Sequence, residues 1–202
     1  LGLNNCFLDL DDPIQLFKTW MDEAKKSEPN DPNAVSLATS NKNNFPSVRM
    51  VLLKDFSQNG FVFYTNLKSK KGNELKENPK VAMCFHWKSL LRQIRINGTV
   101  TQVADEVADK YYNSRSYESR IGAWASKQSE ELINRDQLIN SIKEYKNKYN
   151  EENKVPRPSH WSGWILSPLS IEFWLDGDNR IHERLKYTKA SSGQWSKSLL
   201  SP

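Results

Sequence analysis

In the segment NRIHERLKY, Arg180, His182 and Arg184 alternate with Ile181, Glu183 and Leu185. Side chains two apart share a face of an extended chain, so a strand here would carry three potential cations on one wall. A guanidinium grips phosphate through paired hydrogen bonds, and an imidazole changes protonation near neutral pH. Such a wall could both hold and process an anionic ligand. The same row would also serve as a charged edge that discourages unwanted strand pairing.

Four further segments gather polar groups of this kind. RMVLLK sets Arg49 and Lys54 at the ends of the apolar run Met50, Val51, Leu52 and Leu53, and predicts a buried strand with a cation emerging at each end. In YTNLKSKKG a strand ends at Tyr64 and Thr65 and a helix begins at Ser69, Lys70 and Lys71. Hydroxyl, ammonium and backbone N–H groups can converge on phosphate there. A serine cap followed by exposed lysines is the plainer alternative. LLRQIRING puts Gln93, Arg95 and Asn97 on one face. Gln93 can donate and accept at once, which suits the edge of a flavin or pyrimidine-like ring, although a polar outer face would look the same. YYNSRSYES spaces Tyr111, Arg115 and Ser119 by four, which on a helix aligns two hydroxyls and a guanidinium into a phosphate clamp.

These groups need a scaffold. Asp12 and Pro13 signal a helix start, followed by the apolar stripe Ile14, Phe17, Trp20, Met21 and Ala24. Strand-like runs follow at AVSLATS, SVRMVLLKDF and FVFYTN, the last two joined by a tight turn at Asn59 and Gly60. A short helix in SKKGNELKENP stops at Pro79, and KVAMCFHW and RQIRINGTVTQV return to strand. From Asp105 the pattern is helical, with Leu138, Ile142, Tyr145 and Tyr149 on one face of a longer helix. GWILSPLSIEFWLDG, RIHERLKYT and QWSKSLL close the chain as strands. The reading is an α+β fold: one mostly antiparallel barrel domain over 1–202, with an N-terminal segment and helix (1–30), a helical insertion (105–150) and closing strands (161–202).

With 37% hydrophobic residues and seven Trp among 202, burial can offset chain entropy. The net charge of +5 suits an anionic ligand and also admits a basic module for RNA. Lys143, Lys146 and Lys148 read as a solvated helix face, so no nucleic-acid partner is expected. Two cysteines, Cys6 and Cys84, without a CxxC pair predict a reducing, cytoplasmic setting and no disulfide framework. His86, His160 and His182 lack metal-site spacing, so no metal is expected. No apolar run spans a bilayer and no secretion leader is visible, so no membrane association is expected. GxSxG, GxGxxG and P-loop patterns are missing, which removes the commonest hydrolase, dinucleotide and nucleotide-triphosphatase readings.

Taken in order, RMVLLK, FYTN, SxKKG, RQIRING, YYNSR, SRIGAWASKQS, IEFW and RIHER resemble the pyridoxine (pyridoxamine) 5'-phosphate oxidase family from the Asp12–Pro13 helix to the end of the chain. The resemblance implies an FMN-binding split β-barrel acting as a homodimer, with two flavin sites built from both chains. It implies that Arg49, Met50, Val51, Leu52, Leu53 and Lys54 line the flavin, and that Tyr64, Thr65, Ser69, Lys70 and Lys71 surround its phosphate. Gln93, Gln128, Ser129, Trp174 and Arg184 would complete that pocket. The substrate phosphate would fall to Lys54, Tyr111, Arg115 and Ser119, with Arg180 and His182 as the catalytic pair beside the pyridine ring.

The implied reaction turns pyridoxine 5'-phosphate or pyridoxamine 5'-phosphate into pyridoxal 5'-phosphate, passing a hydride equivalent to the flavin, which dioxygen reoxidises to give hydrogen peroxide. The chain departs from the family pattern at Lys70, where arginine is usual, at Ser116, where proline is usual and a looser loop is expected, and at Leu199, where arginine is usual. An FMN-dependent reductase of the same barrel class is the nearest rival, and YYNSR with Arg180 and His182 weighs against it.

Overall fold

The computed structural model describes residues 2–202. In chain order the elements are α1 (Pro13–Ser27), β1 (Ala34–Ser40), β2 (Pro46–Leu52), β3 (Asp55–Ser57), β4 (Gly60–Asn66), α2 (Lys70–Glu77), β5 (Lys80–Trp87) and β6 (Arg92–Gln102). Then come α3 (Asp105–Asn113), α4 (Tyr117–Ala125), α5 (Arg135–Lys148), β7 (Trp161–Leu175), β8 (Glu183–Lys189) and β9 (Trp195–Leu199). The strands form one antiparallel sheet in the order β2-β1-β5-β6-β7-β4-β3, with β8 on β7 and β9 on β8. The ladder does not close on itself, as expected of a barrel that is split.

β7 is the spine. Its first half, Trp161 to Leu166, pairs with β4, and its second half, Ser170 to Leu175, pairs with β8. The opposite edge carries β6, with a register shift at Asn97/Gly98. A strand this long therefore links two regions that are far apart.

α1 starts where Asp12 caps the Ile14 amide at 2.8 Å and Pro13 fills the first helical position. Its buried stripe lays Phe17 against Phe61 and Phe85, at centroid distances of 4.9 and 5.3 Å, and Trp20 against Phe173 at 5.2 Å. Edge-to-face packing of this kind stabilises by about 0.5–1.5 kcal/mol per pair beyond burial. Among the described residues no helix is long and apolar enough to cross a membrane.

Three local expectations need correction. The run SVRMVLLKDF is two strands, because Leu53 and Lys54 turn their amides to Asn33 O and Val62 O between β2 and β3. β2 is an edge strand rather than a buried one: Val48, Met50 and Leu52 face outward, Met50 being 60% exposed, since only β1 flanks it. YYNSRSYES is not one helix, because α3 ends at Asn113 and α4 restarts at Tyr117 with Ser116 as its cap.

A fourth correction concerns the cationic row. Strand β8 begins only at Glu183, so Arg180 and His182 lie in the preceding turn and Ile181 is 70% exposed. Asn179 and Arg180 adopt left-handed backbone, with φ of 55° and 66°. A Cβ at Gly177 would stand 2.0 Å from Ile181 O, so the chain doubles back too tightly there for any other residue.

Candidate active site

The cavity begins where β4 stops and α2 starts. Ser69 is fully buried and caps α2, accepting from the Gly72 amide at 3.2 Å while donating to Asn66 O at 2.7 Å. Its hydroxyl is thus committed to the helix start, as in the plainer alternative, and the Lys70 and Lys71 amides remain at the head of the helix. Gly72 is required by crowding, since a Cβ would lie 2.5 Å from Asn66 O. Lys70 projects outward, whereas Lys71 turns in and donates to Thr65 Oγ1 at 3.0 Å and Gln128 Oε1 at 3.3 Å. Burial and the nearby Arg49 cation pull the Lys71 ammonium below the ordinary lysine range.

Arg49 lies on the inner face of β2 and does not line the cavity. Its guanidinium donates to Leu37 O, Thr39 Oγ1 and Ser47 Oγ and pairs with Glu74 at 3.2 Å. Glu74 also accepts from Thr39 at 2.5 Å and Ser47 at 2.6 Å. Burial pushes that carboxyl upward, but the two hydroxyls and Arg49 outweigh it and hold it below the ordinary carboxylate range.

α3 and α4 form the opposite wall. Tyr64, Tyr111 and Trp161 stack nearly parallel, with centroids 4.0 Å apart for the two tyrosines and 5.2 Å for Tyr64 and Trp161. Arg157 fixes this stack: it bonds Trp161 O at 2.8 Å and pairs with Asp105 at 2.7 Å, tying the start of α3 to β7. Arg115 lies across the stack with its Cζ 4.8 Å from the Trp161 ring. Its Nη1 is buried without a partner among the described residues, and burial pulls the guanidinium pKa downward. Ser116 is not a loosened joint: its hydroxyl caps the Ser119 amide and donates to Ser119 Oγ at 2.9 Å.

Together these walls enclose a cavity of about 650 Å³. Of the residues singled out in the sequence, it brings together Met50, Val51, Leu52, Lys54, Tyr64, Thr65, Lys71, Gln128, Tyr111, Arg115 and Ser119. The charged side chains on its lining are Lys54, Lys71 and Arg115, with no carboxylate among the described residues there. A concave site with three cations, one of them a guanidinium with an unpartnered buried Nη1, suits a ligand carrying phosphate. Trp161, Ser116 and Asn66 also line it and were not anticipated. Ser116 could have been found from its place between Arg115 and Ser119, while nothing local marks Trp161.

The remaining residues stand elsewhere. Leu53 is in the core, and Ser129, with a left-handed φ of 73°, lines a neighbouring cavity of about 310 Å³ that shares Ser126 and Gln128 with the first. Gln93 pairs across the sheet with Trp174, and Trp174 with Arg184. Arg184 is engaged by Glu172 at 2.8 Å and Ser201 O at 2.7 Å. His182 packs on Trp174 with centroids 4.7 Å apart, and Arg180 is exposed in the turn beside it. This second group sits at the far end of β7. Tyr64 pairs with Gly163, and the eleven residues from there to Trp174 extend up to roughly 35 Å at about 3.3 Å each.

Residues 21–149 match the sequence family described as "Pyridoxamine 5'-phosphate oxidase", and residues 161–202 match "Pyridoxine 5'-phosphate oxidase C-terminal dimerisation region". The chain is 73% identical over 202 residues to the pyridoxine/pyridoxamine 5'-phosphate oxidase of Pelagibacter ubique (strain HTCC1062), covering 100% of this chain and 97% of that protein. The crystal structure of PhzG from Burkholderia lata 383, in complex with tetrahydrophenazine-1-carboxylic acid, superposes with a TM-score of 0.91 at 28% identity, covering 100% of this chain and 98% of that one. A pyridoxamine 5'-phosphate oxidase-related, FMN binding protein from Nostoc punctiforme PCC 73102 shares the fold, with a TM-score of 0.76 at 14% identity over 95% of this chain and 98% of that one. On its sequence, over nearly its whole length, this chain belongs to the pyridoxamine 5'-phosphate oxidase family.

Proposed function

We propose that the protein oxidises pyridoxine 5'-phosphate or pyridoxamine 5'-phosphate to pyridoxal 5'-phosphate, with FMN as cofactor and dioxygen as the final acceptor. The observation that carries this reading is Arg115, a half-buried guanidinium whose Nη1 is buried without a partner among the described residues, at a cavity whose other lining charges are also cationic. A desolvated cation without a counter-charge is costly, and a substrate phosphate supplies the missing partner. Lys54, Tyr111 and Ser119 line the same cavity and add an ammonium and two hydroxyls.

The other wall fits the phosphate of FMN. Lys71, Thr65 and Gln128 already share hydrogen bonds with spare capacity, at the head of α2 where backbone N–H groups favour an anion. Lys70, exposed beside them, adds a point charge instead of a planar fork. When bound, FMN supplies the two-electron acceptor that amino-acid side chains lack. The protein's part is to orient the ring and the vitamer, hold both phosphates and exclude water with the Tyr64–Tyr111–Trp161 stack.

Arg180, His182, Gln93, Trp174 and Arg184 join this site from a second copy of the chain. Three observations support a homodimer with shared sites. The match to a dimerisation region covers residues 161–202, the two residue groups lie at opposite ends of β7, and the outer face of β2 beside the cavity is apolar and exposed. His182 and Arg180 then meet the substrate ring, where an imidazole can accept a hydrogen bond or proton and a guanidinium can close over the bound ester.

Turnover assays with each phosphorylated vitamer and with free pyridoxine test this. The expected result is one peroxide per pyridoxal phosphate formed, and kcat/KM for free pyridoxine lower by about 10³-fold or more, since the buried cation is then left unpaired. Equal turnover of the unphosphorylated vitamer would contradict the reading.

A further inference from the structure

The turn before β8 holds an acidic residue outside the proposed machinery. Asp176 Oδ1 stands 2.9 Å from His182 Nδ1, and the Gly177 amide stands 3.3 Å from the same nitrogen. These contacts make opposite demands. A carboxylate requires a proton on Nδ1, whereas an amide N–H requires a lone pair there, and a neutral ring cannot offer both.

Resting on the reading that His182 meets the substrate, we propose that Asp176 is a positioning residue: it holds His182 in the tautomer protonated at Nδ1, leaving Nε2 as the acceptor toward the substrate. In this structure the Gly177 contact has hydrogen-bond geometry and Asp176 stands at ion-pair distance, but the carboxylate is the nearer of the two and a bond from Nδ1–H to a carboxylate is roughly twice as strong as a neutral one, so the protonated Nδ1 prevails over the amide. Nε2 makes no hydrogen bond among the described residues, and the ring packs at a tilt of 41° against Trp174, with centroids 4.7 Å apart. Asp176 is itself anchored, its amide donating to Leu91 O at 2.9 Å. The close approach of Gly177 to Ile181 O brings Asp176 and His182 to the two ends of one tight turn. If Asp176 is removed, the Gly177 amide becomes the only partner of Nδ1, and the proton moves to Nε2. The substrate would then meet a donor where it should meet an acceptor.

The test is long-range 15N–1H NMR of the histidine rings in the FMN-loaded protein, at a pH where the imidazoles are neutral. The His182 signals are assigned by their loss in His182→Ala. Wild type should show Nδ1 protonated, Asp176→Ala should show the proton on Nε2, and Asp176→Glu should restore part of the original pattern. In steady-state kinetics Asp176→Ala should lower kcat by about 10- to 100-fold, up to the lower end of what a positioned acid–base group supplies, because His182 itself remains. KM should stay within about threefold, because phosphate binding is untouched. A wild-type ring already protonated on Nε2, an Asp176→Ala ring still protonated on Nδ1, or a tautomer change without loss of kcat would overturn the proposal. A wild-type protein that turns over neither vitamer would count against the functional reading instead, and the tautomer shift in Asp176→Ala would still decide what Asp176 does.

Discussion

The Arg115 guanidinium lies 4.8 Å above the Trp161 ring and has no carboxylate partner among the described residues, so its charge is shaped by aromatic rings rather than neutralised by an ion pair. A cation held this way keeps its field for a ligand. Arg115→Ala should therefore lower kcat/KM for pyridoxine 5'-phosphate by about 10- to 150-fold, the equivalent of about 1.5–3 kcal/mol for one charged hydrogen-bonding group. Arg115→Lys should fall between, since it keeps the charge and loses the fork. Free pyridoxine kinetics should be unaffected by either change.

Lys71 should report on the cofactor rather than the substrate. Because burial and Arg49 lower its pKa, it loses its charge at a lower pH than an ordinary lysine. FMN affinity should accordingly weaken on the alkaline side earlier than a normal lysine would allow. Lys71→Met should weaken FMN binding at neutral pH and remove that alkaline dependence, as read by flavin fluorescence titration.

Much of the scaffold is legible from local signals. The Asp12–Pro13 start of α1 and the Ser69 cap each depend on a few neighbouring residues and are found where the sequence puts them, and the SQNG reversal is found one residue earlier, at Gln58 and Asn59, with Gly60 opening β4. Tyr111, Arg115 and Ser119 also reach one cavity, although through two helices rather than one. The turn at Arg180 was not legible, because left-handed Asn179 and Arg180 follow from a backbone approach at Gly177 that no period of two reveals. The pairing of Arg49 with Glu74 joins residues 25 apart through tertiary packing, which spacing alone does not disclose. The exposed face of β2 was hidden for a similar reason: an apolar run states that something covers it, not whether that is the same chain.

Glu74 predicts an acid-sensitive contribution to stability. Its folded carboxyl lies below the ordinary value of 4.5, so its stabilisation is complete above that pH and is lost as pH falls through the lowered value. Glu74→Gln should cost about 2–3 kcal/mol at neutral pH, because it strips a largely buried Arg49 of its counter-charge. Below pH 4.5 the variant's stability should depend less on pH than wild type. Urea melts at a series of pH values check both.

Shared sites predict complementation. Arg115→Ala and His182→Ala remove groups that a homodimer would draw from different chains. Co-expressed as mixed dimers, they should regain about a quarter of wild-type activity, since half of the dimers are mixed and each has one intact site. No recovery would place both residues in the same chain's site.

The most direct measurement is an anaerobic spectral titration of the purified, FMN-loaded protein with pyridoxine 5'-phosphate. The flavin absorbance should bleach stoichiometrically as pyridoxal 5'-phosphate forms, and admission of air should restore it with release of one peroxide per flavin. A flavin that stays oxidised in the presence of saturating pyridoxine 5'-phosphate and pyridoxamine 5'-phosphate would contradict the account.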